Sequence, residues 1–243
     1  MSNIRNTLTT YFRDTHTLLY SYLIALPLLL LYEVLIFIAQ PDSEQVVRIS
    51  VDVWIKTLFS YFGSNIISIT LIFVAIIGIV ILYRERNKLS TLKPRYFLLM
   101  IAEAGLYAFL LALLLSAFIG ALVQIVQPQT VDSLSAIQKI ALSLGAGLYE
   151  ELFFRVILVS GLLYIFKYFI AKKWVAFTAA MVVAALLFSL VHYIGVLGDP
   201  FTLGSFIFRF LFGLALNAIY LWRGFGMAAW THAIYDIMVV VYG

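Results

Sequence analysis

The fold is decided by one apolar stretch, residues 137–170, which reads IQKIALSLGAGLYEELFFRVILVSGLLYIFKYFI. A transmembrane helix needs about 20 mostly apolar residues to cross the hydrocarbon core of a bilayer. The stretch exceeds that length, which predicts a spanning helix that tilts or projects from the bilayer. Its centre carries Glu150, Glu151 and Arg155. Because one charge at mid-bilayer costs about 2.5–3.5 kcal/mol, these residues must pair, face a watery cavity or take part in function.

The composition of the whole chain also predicts a membrane protein. Of its 243 residues, 64% are hydrophobic and 12% are charged, and the mean hydropathy is +1.04. Soluble domains carry about 25% charged residues, so an integral membrane protein is predicted. The net charge of +4 comes mostly from short loops and span ends, so no nucleic-acid partner is predicted. The absence of cysteine excludes disulfides, thiolate nucleophiles and cysteine metal sites.

Further apolar runs on both sides predict an all-α, polytopic transmembrane helix bundle of about seven spans. The predicted spans are residues 17–39, 64–83, 97–126, 137–170, 174–196, 203–222 and 224–242. Residues 45–62 show helical spacing of apolar side chains, which predicts one interfacial amphipathic helix. The chain then divides into an N-terminal part, 1–96, and a part with most of the intramembrane charges, 97–243. We expect the two parts to form one integrated membrane domain.

The charges of the loops predict the orientation of the bundle. Basic residues dominate the loop 84–96 and the junction near Lys172, and Arg223 marks the last loop of the same parity. Loops of the opposite parity are mainly acidic, for example at Asp132 and Asp199. The positive-inside rule therefore predicts a multi-pass protein of the cell membrane, with a cytoplasmic N-terminus and an external C-terminus.

The late spans hold a set of ionisable residues at helical spacing. Glu151 and Arg155 are four residues apart, which favours an ion pair on one helix face. Glu150 lies about 100° around an α-helix from Glu151 and is expected to face a cavity. His232 and Asp236 are also four apart.

His192 is expected near the end of the fifth span, where it shares a common interior with Glu150, His232 and Asp236. The other ionisable residues in the spans receive structural interpretations. Glu33 and Glu103 follow or precede tyrosines in sequence and are interpreted as internal hydrogen-bond partners. Arg209 is expected to pair with a carboxylate in the bundle or to lie near the outer interface.

Two chemistries fit these groups. In the first, Glu150 and His192 deprotonate a water that attacks a peptide carbonyl, and His232 with Asp236 stabilises the oxyanion. In the second, Glu150, His192 and His232 bind Zn²⁺, and the metal-bound water is the nucleophile. The His-Glu-x-x-His spacing of soluble zinc proteases is missing from the sequence. Both chemistries stay open at this point.

Three motifs in order on successive spans carry a family resemblance. They are Glu-Glu-x-x-x-Arg at 150–155, Phe-x-x-x-His at 188–192 and His-x-x-x-Asp at 232–236. In this order they resemble the CPBP family of intramembrane proteases, which includes CAAX proteases and the Abi and Rce1-like proteins. The resemblance covers roughly residues 100–243, so the part 97–243 is interpreted as a CAAX protease/Abi-like catalytic helix bundle.

The resemblance implies a glutamate-type intramembrane endopeptidase, a type also described as a metalloprotease, so zinc is a possible cofactor. It implies water activation by Glu150 and His192, and an oxyanion site at His232 and Asp236. Glu151 and Arg155 would shape the site. The implied substrate is a membrane-associated or exported protein or peptide, bound within the lipid bilayer. The alternatives are a non-catalytic membrane immunity or scaffold protein on the same fold, and a proton-coupled transporter.

Overall fold

The computed structural model describes residues 2–39, 51–54, 57, 66–120, 134–195 and 198–242. These residues are almost entirely helical and include no strand, which confirms the predicted all-α class. The helices are α1 Ser2–Thr15, α2 Leu18–Ala39, α3 Ile66–Arg84, α4 Pro94–Gly120, α5 Ala136–Phe169, α6 Lys173–Val191, α7 Leu203–Arg223 and α8 Phe225–Tyr242. A short 3₁₀ helix, Arg86–Thr91, connects α3 to α4.

The predicted polytopic architecture is confirmed. Within the described residues, six helices are long and apolar enough to cross a membrane, namely α2 and α4 to α8. The predicted span 64–83 coincides with α3, whose described apolar part, Val74–Arg84, is shorter than a full span. Of the predicted interfacial helix 45–62, residues 51–54 are helical, and apart from Thr57 the rest lies outside the described residues.

Local sequence signals fix the ends of the helices that carry the late motifs. Ser135 forms a capping box with Gln138 at the start of α5, so two backbone N–H groups that the helix leaves unpaired are satisfied. Thr202 accepts a hydrogen bond from the Ser205 N–H at the start of α7. Gly224 separates α7 from α8 with a φ of +89°, a left-handed backbone that favours glycine.

The last helix, α8, is the centre of the bundle. It packs against α2, α4, α5 and α7, and 44% of its residues are buried, the largest share among the six spans. Its closest approach to α5 is at Gly147, where an added Cβ atom would lie 2.5 Å from the carbonyl oxygen of Ala229. This contact between backbones brings the middle of α5 next to the middle of α8.

The middle of α5 is wound as a π-helix. Residues Ala146–Glu150 and Leu152–Val159 have this wider winding, and the Ser160 N–H donates to the carbonyl oxygen of Arg155 five residues earlier. Single π-helical turns inside α-helices are rare and occur often at functional sites. Prediction from α-helical spacing placed a helix here but missed its winding. The π-helical segments begin and end around Glu150 and Glu151, so the irregular backbone coincides with the carboxylate pair.

Candidate active site

Glu151 is the centre of a buried ion cluster. Its Oε1 lies 2.9 Å from Arg155 Nη1 and 2.7 Å from His232 Nδ1. The side chains of Glu151 and Arg155 are both fully buried. The predicted ion pair between them is therefore present, and the same carboxylate oxygen also holds a residue from α8 that the sequence spacing did not connect to it.

The hydrogen bond from Glu151 fixes the orientation of the His232 ring. A carboxylate oxygen only accepts, so Nδ1 of His232 is the donor. Its Nε2 then points away from Glu151 and lies 3.4 Å from Asp236 Oδ2. Aromatic rings border the imidazole on its other sides, with the Phe212 centroid at 5.1 Å and the Phe188 centroid at 6.1 Å. The side chain of Asp236 is 31% exposed, so this end of the cluster is open.

Glu150 faces His192 of α6. Oε2 of Glu150 and Nε2 of His192 are 4.0 Å apart, and the two side chains are 14% and 25% exposed. Nδ1 of His192 lies 2.7 Å from the carbonyl oxygen of Phe188, which only accepts, so Nδ1 carries the proton. In the neutral ring, Nε2 then presents its lone pair toward Glu150. The separation is too long for a direct hydrogen bond but fits a bridging water.

Phe188 lies between the two halves of the cluster. Its ring centroid is 4.9 Å from that of His192, and the guanidinium carbon of Arg155 lies 4.7 Å above the same ring. The ring of Phe188 therefore contacts both His192, which faces Glu150, and Arg155, which pairs with Glu151. The structure thus brings together all six predicted site residues, which come from α5, α6 and α8. The sequence identified Phe188 only as the first residue of a motif and did not predict its central place.

The hydrogen bonding of the Arg155 cluster is incomplete. Within the described residues, Oε2 of Glu151 and both Nε and Nη1 of Arg155 have no hydrogen-bond partner, although Nη1 is in ion-pair contact. The remaining guanidinium nitrogen donates to the carbonyl oxygen of Gly213 at 3.5 Å. Most buried polar atoms in native proteins have a hydrogen-bond partner, so these three atoms distinguish the Glu151–Arg155 pair from a fully hydrogen-bonded one.

A second buried ion cluster joins α1, α4 and α7. Arg223 binds Glu103 with two parallel hydrogen bonds, at 2.7 Å and 2.8 Å. The hydroxyls of Tyr11 and Tyr107 donate to the same carboxylate at 2.6 Å and 2.5 Å, and Thr15 accepts from Arg223 at 2.9 Å. The interpretation of Glu103 as an internal hydrogen-bond partner agrees with these contacts. Arg223, which the sequence analysis used only to mark the last loop, has a side chain that is 1% exposed.

Arg209 takes part in a third polar group, at the start of α7. It forms an ion pair with Asp199 and donates hydrogen bonds to the hydroxyls of Tyr193 and Ser205, at 2.9 Å and 2.6 Å. The expected pairing of Arg209 with a carboxylate is therefore observed. The partner lies in the loop that follows His192, which the sequence did not indicate.

The predicted zinc ligands do not form a metal-binding group in the structure. Within the described residues, no three His, Asp or Glu side chains are arranged to hold a metal ion. Both nitrogens of His232 face carboxylates, Glu151 on one side and Asp236 on the other. Zn–N distances are about 2.0–2.1 Å, and a His232 nitrogen held in this way does not converge with Glu150 and His192.

Comparison with known families gives one match, to the late helices. Residues 132–238 match the family model described as type II CAAX prenyl endopeptidase, Rce1-like. The predicted resemblance is confirmed. This Rce1-like region runs through α5 to α8 up to residue 238 and includes every predicted site residue. The protein is thus a multi-pass membrane protein in which residues 132–238 are similar to a protease family. Neither a curated protein nor a solved structure matches the chain.

Proposed function

We propose that this protein is an intramembrane endopeptidase in which Glu150 and His192 activate a water for attack on a peptide bond. The observation that carries the proposal is the 4.0 Å separation between Glu150 Oε2 and His192 Nε2. Both atoms accept hydrogen bonds when Glu150 is ionised and His192 is neutral. One water between them donates a hydrogen to each, and its oxygen lone pair remains free for the substrate carbonyl.

The reaction follows from this placement. As the water oxygen bonds to the carbonyl carbon, Glu150 takes the water proton, and the carbonyl electrons move to the oxygen. When the C=O bond re-forms, the C–N bond breaks, and Glu150 returns the proton to the departing nitrogen. The partial exposure of Glu150 and His192 gives water and substrate access to this point.

The oxyanion is assigned to the side of His232 that faces Asp236. Nδ1 of His232 is already bound to Glu151, so Nε2 is its remaining donor, and it carries a proton when the ring is an imidazolium. Asp236 donates in its protonated form and otherwise orients His232. Glu151 and Arg155 position this imidazole and do not contact the substrate.

The alternative with zinc has a separate test. The mechanism above uses only side chains of this chain, in which Nδ1 of His232 is bound to Glu151 and Nε2 faces Asp236. Cleavage that persists after dialysis against a chelator supports the direct activation of water. Loss of cleavage on chelation, with recovery on adding Zn²⁺ alone, would replace it with a metal-bound water.

The proposed substrate is a peptide segment of an exported or membrane-anchored protein. His192 directly follows α6, and the loop charges support an orientation in which that end lies on the outer side of the cell membrane and the N-terminus in the cytoplasm. The sequence contains no cysteine, so single-cysteine variants at Asp199 and Lys93 give unambiguous labelling in intact cells. Labelling at 199 by an impermeant reagent supports the orientation, and labelling only at 93 contradicts it.

The proposed function is tested with purified protein and a set of membrane-anchored peptides. The wild-type protein cleaves, and Glu150→Gln loses cleavage by about 10²- to 10⁴-fold because the amide cannot take the proton. Glu85→Gln is the matched control, since Glu85 pairs with Lys88 in a loop away from the site. Equal cleavage by wild type and a folded Glu150→Gln variant contradicts the proposal.

A further inference from the structure

The segment after α6 determines where His192 points. His192 is the first residue beyond the helix, and the last turn of a helix has carbonyl groups without helical partners. The carbonyl oxygen of His192 accepts from the backbone N–H of Asp199 at 2.9 Å. This hydrogen bond closes a loop that starts at His192 and returns to it at Asp199.

Arg209 holds that loop at two points. Its ion pair with Asp199 fixes the residue whose N–H reaches back to His192. Its other terminal nitrogen donates to the hydroxyl of Tyr193, the residue next to His192, at 2.9 Å. The guanidinium also lies over the Tyr193 ring, 5.1 Å from its centroid. One side chain from α7 therefore binds both ends of the loop.

We propose that Arg209, through Asp199 and Tyr193, is a positioning residue for His192. This inference rests on the proposed function for its kinetic consequence but not for its structural one. Without the clamp, the end of α6 frays, and the ring of His192 loses the hydrogen bond that keeps the proton on Nδ1. The lone pair of Nε2 is then no longer held toward Glu150.

Nuclear magnetic resonance of protein labelled with ¹⁵N-histidine shows directly which ring nitrogen of His192 carries the proton. The chain has three histidines, and a His192→Gln variant assigns the signal of His192. In the wild type we expect the Nδ1–H tautomer for His192. In Arg209→Ala and in Asp199→Asn we expect the signal of His192 to shift toward a mixture of tautomers. In Arg209→Lys we expect a smaller shift, because lysine keeps the positive charge but lacks the planar guanidinium that contacts Asp199 and Tyr193 together.

Kinetics give the second measurement. A small misplacement of a reacting group lowers rates by up to about 100-fold, so we expect kcat to fall by about 10- to 100-fold with little change in KM. Lys88→Ala is the control for losing an ion pair elsewhere, and it leaves both measurements unchanged.

A failure of the inference about Arg209 can be distinguished from a failure of the proposed function. A wild-type His192 signal in Asp199→Asn, whose substitution keeps the backbone N–H, together with a wild-type signal in folded Arg209→Ala, overturns the inference. A wild-type protein that cleaves no peptide overturns the proposed function, while the histidine spectra still decide the role of Arg209. If Arg209→Ala does not fold, Asp199→Asn alone decides it.

Discussion

In the part of the chain that the structure describes, two buried ion pairs join a glutamate to an arginine, and they are built differently. Glu103 and Arg223 form a forked pair in which two tyrosine hydroxyls and a threonine complete the hydrogen bonding. Glu151 and Arg155 are more deeply buried, yet three of their polar atoms have no hydrogen-bond partner within the described residues.

The difference separates a structural ion pair from a working one. A buried pair is stable only when further hydrogen bonds offset its desolvation, and the Glu103 pair meets that condition. The Glu151 pair instead gives one carboxylate oxygen to His232 and lies next to the partly exposed Glu150. On the proposed function, the Glu151 pair positions the imidazole of His232, whereas the Glu103 pair supports the fold.

The largest expected effect is on activity at the Glu150–His192 pair. Glu150→Gln and His192→Gln each lower kcat/KM by about 10²- to 10⁴-fold, because the amide that replaces each group is not basic enough to activate the proposed water. The two groups act as a unit, so the double variant is little slower than the slower single variant. Rate losses that multiply in the double variant contradict a shared water. Peptide cleavage by the purified variants measures this.

The next effect is on stability at the Glu103–Arg223 pair. Glu103→Gln leaves Arg223 buried without a counter-charge, which costs about 3–5 kcal/mol of unfolding free energy. Thermal unfolding in detergent measures the loss, and cleavage per folded molecule remains near the wild-type value. Glu85→Gln, in an ion pair whose lysine is 51% exposed, changes stability by at most about 1 kcal/mol. Equal stability of Glu103→Gln and Glu85→Gln contradicts the structural role.

Glu151→Gln is expected to lower both the activity and the stability of the protein. The variant keeps an oxygen for the N–H of His232 but removes the charge opposite Arg155. We expect both a lower Tm and a kcat reduced by about 10- to 100-fold. A change in Tm alone would show that Glu151 supports the fold without orienting His232.

The smallest effect is expected at Asp236. Asp236→Asn keeps a polar group beside His232 Nε2 and its amide donates toward an oxyanion, so we expect cleavage within about tenfold of wild type. Asp236→Ala removes the donor and is expected to be slower than Asp236→Asn. If the alanine variant is as active as the asparagine variant, Asp236 does not take part in the oxyanion site.

The sequence was sufficient for the long apolar helices and for the order of the motifs, but helix α1, Ser2–Thr15, was not predicted. Apolar length predicts spans directly, and the spacing of Glu151 and Arg155 on one helix predicts their contact. The bond from Glu151 to His232 and the central ring of Phe188 depend on which helices pack together, and periodicity along one segment carries no such information.

Two other features, the π-winding of α5 and the burial of Arg223, were also not predicted from the sequence. The π-winding before and after Glu151 was not predicted, because local propensities indicate only a helix. Arg223 occupies the boundary between two spans, where an arginine normally faces water. Its burial required the N-terminal helix α1, which supplies Tyr11 and Thr15.

One paired measurement tests the division between the two ion clusters most directly. Cleavage per folded molecule and Tm are measured side by side for Glu150→Gln and Glu103→Gln. We predict that Glu150→Gln keeps the wild-type Tm and loses cleavage, whereas Glu103→Gln loses Tm and keeps cleavage. A Glu150→Gln variant that still cleaves, or a Glu103→Gln variant that is as stable as wild type but inactive, would contradict the assignment of function to the Glu150–His192 side of the bundle.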